Sequence, residues 1–359
     1  MSILFKILLS PIALIYGAVV KVRNSLFDLK IIGSKMVSRP TICIGNLTVG
    51  GTGKTPHTDY LISLLSKKFS VAVLSRGYGR KTKGFRYVEI DSTSTQVGDE
   101  PLQLKLKFPE VVIAVDGNRV RGAEKIIKDF PEVNVILLDD AFQHRYIKAG
   151  YSLLLTDFNN LVTKDFFLPL GRLRDSLSQL HRADCIIVTK CPQNLKPIDQ
   201  RIVTKELKPF PYQSVFFSWF EYGTPKPVFS VTEPLAFEKS TQILAFAGLA
   251  NPKPFFEYID NQFCLQKKVT FPDHYAYSEK KIRAIFETFS KIEGQNKAIL
   301  TTEKDAARIR SLAGLGNEIV ESIYYIPIEV VFSNETMADF NHKIETYVRK
   351  SKGNRSVYQ

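Results

Sequence analysis

Cysteine, histidine, methionine and tryptophan are all scarce in this chain. Its 359 residues include four cysteines, five histidines, three methionines and one tryptophan. No two cysteines have C-x-x-C spacing and the histidines are widely scattered, which excludes a zinc signature and gives no sign of a disulfide framework. Buried free thiols in a reducing compartment are therefore expected for Cys43, Cys185, Cys191 and Cys264.

The N-terminal region lacks an apolar run long enough to cross a bilayer as a helix. The uncharged stretch Ile7–Val20 is short for that purpose and is interrupted by Pro11, with Lys6 before it and Lys21 after it. A signal peptide, a core helix and a helix lying in the membrane interface all fit this pattern. The motifs described below indicate the cellular compartment, and the compartment decides among these three interpretations.

Internal repeats and low-complexity segments are also missing, and the apolar fraction of 44% is too high for a disordered chain. The formal net charge is +13. Such a basic excess favours an anionic partner, namely nucleic acid, an anionic membrane or a phosphorylated substrate. Charge alone does not choose among the three.

The first half of the sequence alternates short apolar runs with helical stretches. The runs are β-branched or leucine-rich and lack polar alternation, as expected for strands buried on both faces of a parallel sheet. Each run ends in polar residues or glycine, and ligands of open α/β sheets bind beyond the carboxyl ends of the strands. The predicted strands are Thr41–Ile44, Val71–Leu74, Val111–Val115, Val135–Leu138, Ser152–Leu155 and Cys185–Val188.

The whole pattern predicts an α/β fold class and five segments. Prolines interrupt the pattern around the strand-like run Ser214–Phe220, which indicates a connector. The segments are an N-terminal membrane-associated helix (1–30), a domain with a mainly parallel sheet (31–213), the connector (214–235), a smaller α/β domain (236–330) and a C-terminal helix (331–359). In the smaller domain, strands are predicted near Gln242–Phe246, Cys264–Val269, Lys297–Leu300 and Ser322–Ile328.

A glycine-rich loop follows the first predicted strand and precedes a helical pattern. Glycines let backbone N–H groups face a polyphosphate, Lys54 would contact the β- and γ-phosphates, and the Thr55 hydroxyl would bind Mg²⁺. The strict G-x-x-x-x-G-K-[ST] pattern has glycine where this chain has Thr48, and a chance glycine-rich turn is the alternative. The context favours a P-loop NTPase-type domain that binds nucleotide through Gly50, Gly51, Thr52, Gly53, Lys54 and Thr55.

Two carboxylate motifs accompany this loop. Asp139 and Asp140 end an apolar strand, where a carboxylate of the Walker-B type holds Mg²⁺, although two aspartates there often only begin a turn. Asp99 and Glu100 begin a helical stretch, where a carboxylate can bind metal or take a proton from an acceptor hydroxyl. From spacing alone, capping of the helix by Asp99 is the favoured interpretation.

Arginines follow the strands in four loops at the predicted ligand-binding edge. Guanidinium groups suit phosphate recognition, so they indicate an anionic substrate besides the nucleotide. In the smaller domain, His274 lies in a loop, and Thr301–Asp305 is similar to the base-reading T-K-x-D of GTPases but has the wrong spacing. The arginines are Arg76, Arg80, Arg119, Arg121, Arg145, Arg172 and Arg174.

The ordered set of motifs resembles one family. These motifs are G-N-L-T-V-G-G-T-G-K-T-P, S-R-G-Y-G-R, V-G-D-E-P, L-D-D-A-F-Q-H, L-P-L-G-R-L-R, F-P-D-H-Y and T-E-K-D-A, between Arg39 and Asp305. They closely resemble the tetraacyldisaccharide 4′-kinases of lipid A biosynthesis. Two residues depart from the family pattern: Ala141 stands where the family usually has glycine, and Asp175 stands where it usually has glutamate after L-R.

The resemblance implies transfer of the γ-phosphate of ATP to the 4′-hydroxyl of a tetraacylated glucosamine disaccharide 1-phosphate. Its implied cofactors are ATP and Mg²⁺. The implied metal-supporting residues are Thr55, Glu100, Asp139 and Asp140. The implied catalytic residues are Lys54 and Asp99, with Asp99 as the base paired with His274. The implied substrate-binding residues are Arg76, Tyr78, Arg119, His144 and Arg172.

Cytosolic ATP and Mg²⁺ favour the interfacial helix over a signal peptide for Ile7–Val20. The expected location is the cytoplasmic face of the bacterial inner membrane, as a peripheral protein and a monomer. Its expected partners are the lipid A disaccharide precursor and the anionic membrane surface, without nucleic acid. Two other functions stay open, a P-loop GTPase switch and a peripheral ATPase module of a membrane complex.

Overall fold

The computed structural model describes residues 3–229, 235–312 and 314–353. Within them, two β-sheets carry helices on both faces, one sheet with nine strands and one with five. The predicted mixed α/β architecture with a large, mainly parallel sheet is confirmed. Residues 230–234 of the predicted connector, and 1–2 and 354–359 of the predicted terminal segments, lie outside the described residues.

The strands are short and mostly buried. In chain order they are β1 (Thr41–Gly45), β2 (Val71–Ser75), β3 (Arg86–Tyr87), β4 (Val112–Val115), β5 (Val135–Asp139), β6 (Tyr151–Asp157), β7 (Cys185–Thr189), β8 (Ser214–Tyr222), β9 (Lys226–Pro227), β10 (Gln242–Ala247), β11 (Cys264–Thr270), β12 (Lys297–Thr302), β13 (Ile323–Ile326) and β14 (Ile328–Phe332).

The larger sheet has the order β14-β8-β7-β6-β1-β5-β2-β4-β3, and the smaller sheet has the order β11-β10-β12-β13-β9. Strands β3, β9 and β14 pair antiparallel at the edges, and the other pairs are parallel. The carboxyl ends of β1, β2, β4 and β5 therefore meet at one edge of the larger sheet, where the predicted ligand groups lie.

The helices pack on both faces of the sheets. They are α1 (Ile3–Asp28), α2 (Lys54–Leu65), α3 (Ser94–Val97), α4 (Asp99–Lys107), α5 (Arg119–Asp129), α6 (Pro197–Leu207), α7 (Lys253–Gln262), α8 (Glu279–Ser290), α9 (Glu303–Ile309), α10 (Asn317–Ser322) and α11 (Asn334–Gly353), with 3₁₀ turns at Val162–Lys164 and Leu177–Arg182. Among the helices of the described residues, none combines the length and the apolarity that crossing a bilayer requires.

The segment predicted as a connector contributes a strand to the larger sheet. Ser214–Tyr222 is β8, which pairs parallel with β7 and antiparallel with β14. The prediction that Ser322–Ile328 forms one strand is also wrong. Pro327 separates β13, in the smaller sheet, from β14, in the larger one, because proline lacks the N–H that a ladder needs. The chain thus returns to the larger sheet before its last helix.

The predicted C-terminal helix is present as α11 and packs on the larger sheet. Phe340, Ile344 and Val348 on this helix are buried in the same apolar cluster as Leu61 of α2 and Phe332 of β14. The spacing of these helix residues is that of one apolar face. The C-terminal helix therefore contributes to the core of the larger sheet and does not belong to the smaller one.

The cysteines are free, as predicted. Cys43, Cys185 and Cys191 are buried, and burial raises the pKa of the Cys43 and Cys191 thiols to about 12. The expectation of burial is wrong for Cys264, which is exposed at the start of β11 on the edge of the smaller sheet.

Replacing Phe340 by alanine should lower the free energy of unfolding by about 3–5 kcal/mol, because it leaves a cavity between three aromatic rings. The Phe340 ring lies 4.9 Å from Phe332, 5.2 Å from Phe216 and 6.0 Å from Tyr60. Denaturant unfolding measures the effect, with exposed His342→Ala on the same helix as control. A Phe340→Ala loss as small as that of the control would contradict the packing of α11 on this sheet.

Candidate active site

The glycine-rich loop joins β1 to α2, as the sequence predicts. Gly53 immediately precedes the helix with φ of 86°, and a Cβ there would lie 2.5 Å from the ring of Phe220. Position 53 therefore requires glycine for both backbone conformation and space. Lys54 and Thr55 open the first turn of α2, where the positive end of the helix dipole favours an anion.

Neighbouring strands and loops hold the glycine-rich loop in place. The Asn46 side chain donates to the Thr52 hydroxyl at 2.8 Å, and the Thr189 hydroxyl donates to the Thr52 carbonyl at 2.9 Å. The Val49 N–H donates to the carbonyl of Arg172 at 2.8 Å. These bonds preorganise the loop before any ligand arrives, which reduces the ordering cost of binding.

Asp139 and Asp140 point to different partners. Asp140 has φ of 44°, so the chain turns sharply between the two carboxylates. Asp139 accepts from the Thr58 hydroxyl at 3.1 Å, and burial followed by the charge of Asp140 raises its pKa to about 6. Asp140 lies 3.9 Å from the Lys54 ammonium and accepts from both terminal nitrogens of Arg174.

These charged side chains shift one another's pKa values. Burial opposes ionisation of Asp140, but Lys54 and Arg174 outweigh it, so the pKa of Asp140 is lowered. Burial also lowers the pKa of Lys54, while Asp140, Asp139 and Glu100 act against this change. Glu100 acts on Lys54 through its charge, and its Oε1 lies 3.9 Å from the ammonium of Lys304. The arrangement brings together the predicted carboxylates and the predicted phosphate-binding lysine.

The donors at this edge fit a hard cation bound together with phosphate. Within residues 3–229, 235–312 and 314–353, no three histidine, cysteine or carboxylate side chains are grouped closely enough to hold a metal by themselves. Mg²⁺ is usually held by one or two carboxylates, with phosphate oxygens and waters completing its octahedron. The carboxylates of Asp139 and Asp140, which contact Thr58 and Lys54 of the loop helix, match that requirement.

Asp99 meets His274 across the contact between the two sheets, as predicted. The Nδ1–H of His274 donates to Oδ2 of Asp99 at 2.8 Å. The capping interpretation of Asp99 is wrong, since α4 begins after Gly98 without a side-chain cap. Gly98 itself has φ of 96°, and a Cβ there would lie 3.0 Å from the Tyr78 carbonyl. The loop that contains Tyr78 therefore passes close to Gly98, immediately before Asp99 at the start of α4.

Arg308 on α9 is a second partner of Asp99, which the sequence analysis missed. Its Nε and Nη2 both donate to Oδ2 of Asp99, at 3.1 and 2.6 Å. Burial raises the pKa of Asp99, but the bonds from Arg308 and His274 outweigh burial, so the pKa is lowered. Asp99 is therefore an anion at neutral pH.

The stretch Thr301–Asp305 does not form a base-reading site. The buried Asp305 carboxylate accepts from the Gly248 N–H at 2.8 Å, the Thr302 hydroxyl at 2.8 Å and Arg308 at 2.9 Å. Both of its oxygens are thus used inside the protein and are not free to recognise guanine. The weak sequence hint of a GTPase loses its basis.

His144 lines a cavity of about 570 Å³, and its Nε2 accepts from the backbone N–H of Arg119 at 3.4 Å. The Arg119 side chain is buried and donates to the Asp116 carbonyl at 2.7 Å, but its buried Nε has no partner among the described residues. Burial and the charge of Arg119 lower the pKa of His144 to about 4, so its imidazole is neutral. The cavity is lined by Gly33, Ser34, Lys35, Gly117, Asn118, Val120, His144 and Tyr146.

The other predicted substrate residues have different surroundings. Arg76 is exposed, and Tyr78 is 72% exposed with its ring 6.0 Å from His274. Arg172 is already paired with Asp165, whose carboxylate accepts from its Nε and its backbone N–H at 2.9 Å. Arg174, two residues later, contacts Asp140 instead. Arg172 and Arg174 belong to one sequence motif, and Arg174 is the one that contacts Asp140.

A glycine-rich loop shaped for polyphosphate, with a carboxylate close to its lysine and an ionised aspartate on another helix, is typical of a P-loop kinase. This is the class of protein that the fold and the site define. Sequence comparison identifies the family: the profile of LpxK, tetraacyldisaccharide-1-P 4′-kinase, matches residues 5–348. The chain belongs to this family, which confirms the resemblance.

Individual relatives agree. The chain is 47% identical to a tetraacyldisaccharide 4′-kinase of Bacteroides thetaiotaomicron, over 97% of this chain and 94% of that one. It is 42% identical to one of Flavobacterium johnsoniae, over 98% and 99%. The crystal structure of LpxK from Aquifex aeolicus in complex with ATP superposes with a TM-score of 0.76 at 27% identity, covering 97% of this chain and 99% of that chain.

His57 should make the protein less stable as the pH falls. Its Nδ1–H donates to the Gly53 carbonyl at 2.7 Å and its Nε2 accepts from Ser218 at 3.0 Å, and burial lowers its pKa from 6.5 to about 4. Below pH 6.5 the unfolded chain binds a proton that the folded chain does not, so stability is lost between pH 6.5 and 4.

The measurement is the free energy of unfolding at pH 7 and pH 5, for the wild type and for His57→Gln. The wild type should lose about 2 kcal/mol more than the variant over this interval. The exposed His342→Gln variant is the control and should follow the wild type. Equal losses in the wild type and His57→Gln would contradict a neutral, buried His57.

Proposed function

We propose that the chain transfers the γ-phosphate of ATP to the 4′-hydroxyl of a tetraacylated glucosamine disaccharide 1-phosphate. The observation that carries this proposal is the ionised Asp99, which His274 and Arg308 of the second domain hold in place. The next residue, Glu100, acts through its charge on the phosphate-binding Lys54. Phosphoryl transfer needs this combination of charge neutralisation and a base near the acceptor. Family membership supports the same activity.

Each part of the site has a role in this reaction. Lys54 and the backbone of the loop bind the β- and γ-phosphates, and Arg174 keeps Asp140 ionised beside Lys54. Mg²⁺, held by Asp139, Asp140 and Thr55 with support from Glu100, supplies charge neutralisation at the phosphates when bound. Asp99 accepts the proton of the acceptor hydroxyl, whose oxygen attacks the γ-phosphorus as the bond to ADP breaks.

The acceptor binds on the basic side of the sheet edge in this proposal. Arg76 is exposed, and the exposed ring of Tyr78 lies 6.0 Å from His274, so both side chains can contact the sugar that carries the reacting hydroxyl. The neutral His144 lines the cavity and can hydrogen-bond to the disaccharide or its phosphate, while the positive charge of the buried Arg119 lies close to it. All these residues come from one chain, so we propose that a monomer is active.

Helix α1 would hold the protein at the cytoplasmic face of the inner membrane as a peripheral protein. One face of the helix packs on the body, with Ala13, Val20 and Phe27 buried and the Tyr16 hydroxyl bonded to the Arg174 carbonyl. The other face exposes a continuous apolar stripe at helical spacing, formed by Leu8, Ile12, Ile15, Val19 and Val22. Such a stripe suits an interfacial helix that lies in the headgroup region.

Lys54→Ala should lower kcat by about 10²–10³-fold, because the transferring phosphoryl group loses a positioned cation. The assay measures ADP formed from ATP and Mg²⁺ with and without the lipid A disaccharide precursor, and thermal unfolding checks the fold. Lys68→Ala is the matched control, since Lys68 is ion-paired with Glu345 on the surface. Equal ADP release without the lipid acceptor would instead favour the ATPase interpretation, and normal turnover by folded Lys54→Ala would remove the loop from the site.

Replacing Ile12, Ile15 and Val19 by serine should weaken binding to anionic phospholipid vesicles by about 10²-fold, at roughly 1 kcal/mol for each partly buried side chain. High salt should weaken binding further, because the basic flanks contribute. The control is Ile198→Ser with Ile202→Ser, two equally apolar exposed residues of α6. Unchanged vesicle sedimentation of the triple variant would show that another surface attaches the protein.

A further inference from the structure

In the segment Thr302–Arg308 of the second domain, only the contact of Arg308 with Asp99 enters the proposed function. It forms the start of α9, where the Thr302 hydroxyl accepts from the Asp305 N–H at 3.1 Å and caps the helix. The Asp305 carboxylate is completely buried, and its Oδ2 accepts from the Gly248 N–H and the Thr302 hydroxyl. Its Oδ1 is left to accept from Nη1 of Arg308 at 2.9 Å.

Arg308 extends this internal bonding to the neighbouring domain. Its side chain is 4% exposed, and it lies between the two carboxylates of Asp305 and Asp99. Nη1 binds Asp305, while Nε and Nη2 bind Asp99. A planar guanidinium with one edge fixed by a buried carboxylate presents its other donors in a defined direction.

The two oxygens of Asp99 have different surroundings as a result. Oδ2 receives Nε and Nη2 of Arg308 and Nδ1 of His274. Among the described residues no donor bonds Oδ1. A carboxylate with one oxygen bonded from three directions cannot rotate freely, so its second oxygen is held in one orientation and remains able to accept a proton.

We propose that Arg308, braced by Asp305, is a positioning residue that fixes the Asp99 carboxylate from the second domain and leaves Oδ1 to accept the proton of the sugar hydroxyl. This inference rests on the proposed role of Asp99 as the base. The proton passes from the acceptor oxygen to Oδ1, the new P–O bond forms, and ADP leaves with the electrons of the broken bond. Arg308 itself contacts neither substrate and transfers no proton.

The inference predicts a loss of kcat at nearly constant KM. Arg308→Met keeps the length of the side chain but removes all donors, and it should lower kcat roughly 10²-fold, as misplacement of a catalytic group does. The KM for ATP should change by less than about twofold, because the phosphate loop lies on the other domain. Arg308→Lys keeps the charge but not the fork, and its kcat should fall between those of Arg308→Met and the wild type.

A matched control and a double variant separate positioning from general stability. Arg310→Met removes a half-buried arginine two residues after Arg308, which donates to the Val228 carbonyl and does not touch Asp99. It should keep kcat while lowering the melting temperature. In an Asp99→Asn background, Arg308→Met should lower kcat little further, because the effects of residues that act through one another are not additive.

The outcomes distinguish failure of this inference from failure of the proposed function. If Asp99→Asn keeps the wild-type kcat with the lipid acceptor, the base role fails, and the role of Arg308 fails with it. If Asp99→Asn loses activity but folded Arg308→Met does not, Arg308 has no positioning role. If Arg308→Met does not fold, the Arg308→Lys variant is used instead. A wild-type kcat for Arg308→Lys would overturn the inference. So would a loss of kcat in the Asp99→Asn/Arg308→Lys double variant that equals the product of the two single losses.

Discussion

A guanidinium removed from water must be paired with negative charge, and Arg308 takes its two carboxylates from different domains. Asp305 is its partner at the start of the same helix, and Asp99 is its partner at the start of α4. Removing either carboxylate would leave a buried cation incompletely paired, which is costly. The same interaction therefore joins helices α4 and α9 and holds the Asp99 carboxylate in place.

Charge pairing also organises the nucleotide side of the site. Lys54 and Arg174 both contact Asp140. Lys54 is also the lysine that a phosphate-binding loop uses to bind phosphate. With Arg174 as a second cation, Asp140 keeps its negative charge compensated when Lys54 turns to a polyphosphate. Asp139 is the contrasting case, because burial beside Asp140 raises its pKa to about 6. A cation bound next to the pair would favour its ionised form.

Local pattern predicted the elements well, and the positions where it failed have a physical reason. Apolar runs predicted the buried strands of both sheets, since burial on both faces needs continuous apolar sequence. The run Ser214–Phe220 was assigned to a connector because prolines surround it. In the structure it belongs to β8, which pairs with β7 and with β14, and β14 lies far away in sequence. The glycine-rich loop and the Asp99–His274 contact could be predicted from motifs, whereas Arg308 and Arg174 could not, because an arginine's partner is decided by tertiary structure.

The stretch T-E-K-D shows how one sequence pattern can have two physical meanings. As a motif it is similar to a loop that reads a nucleotide base through an aspartate. In the structure, Asp305 binds the Gly248 N–H, the Thr302 hydroxyl and Arg308, and so has no oxygen left for a base. The same aspartate that would recognise a ligand in one fold orients an arginine in this one. Whether a motif acts on a ligand or on the protein is decided by where its hydrogen bonds go.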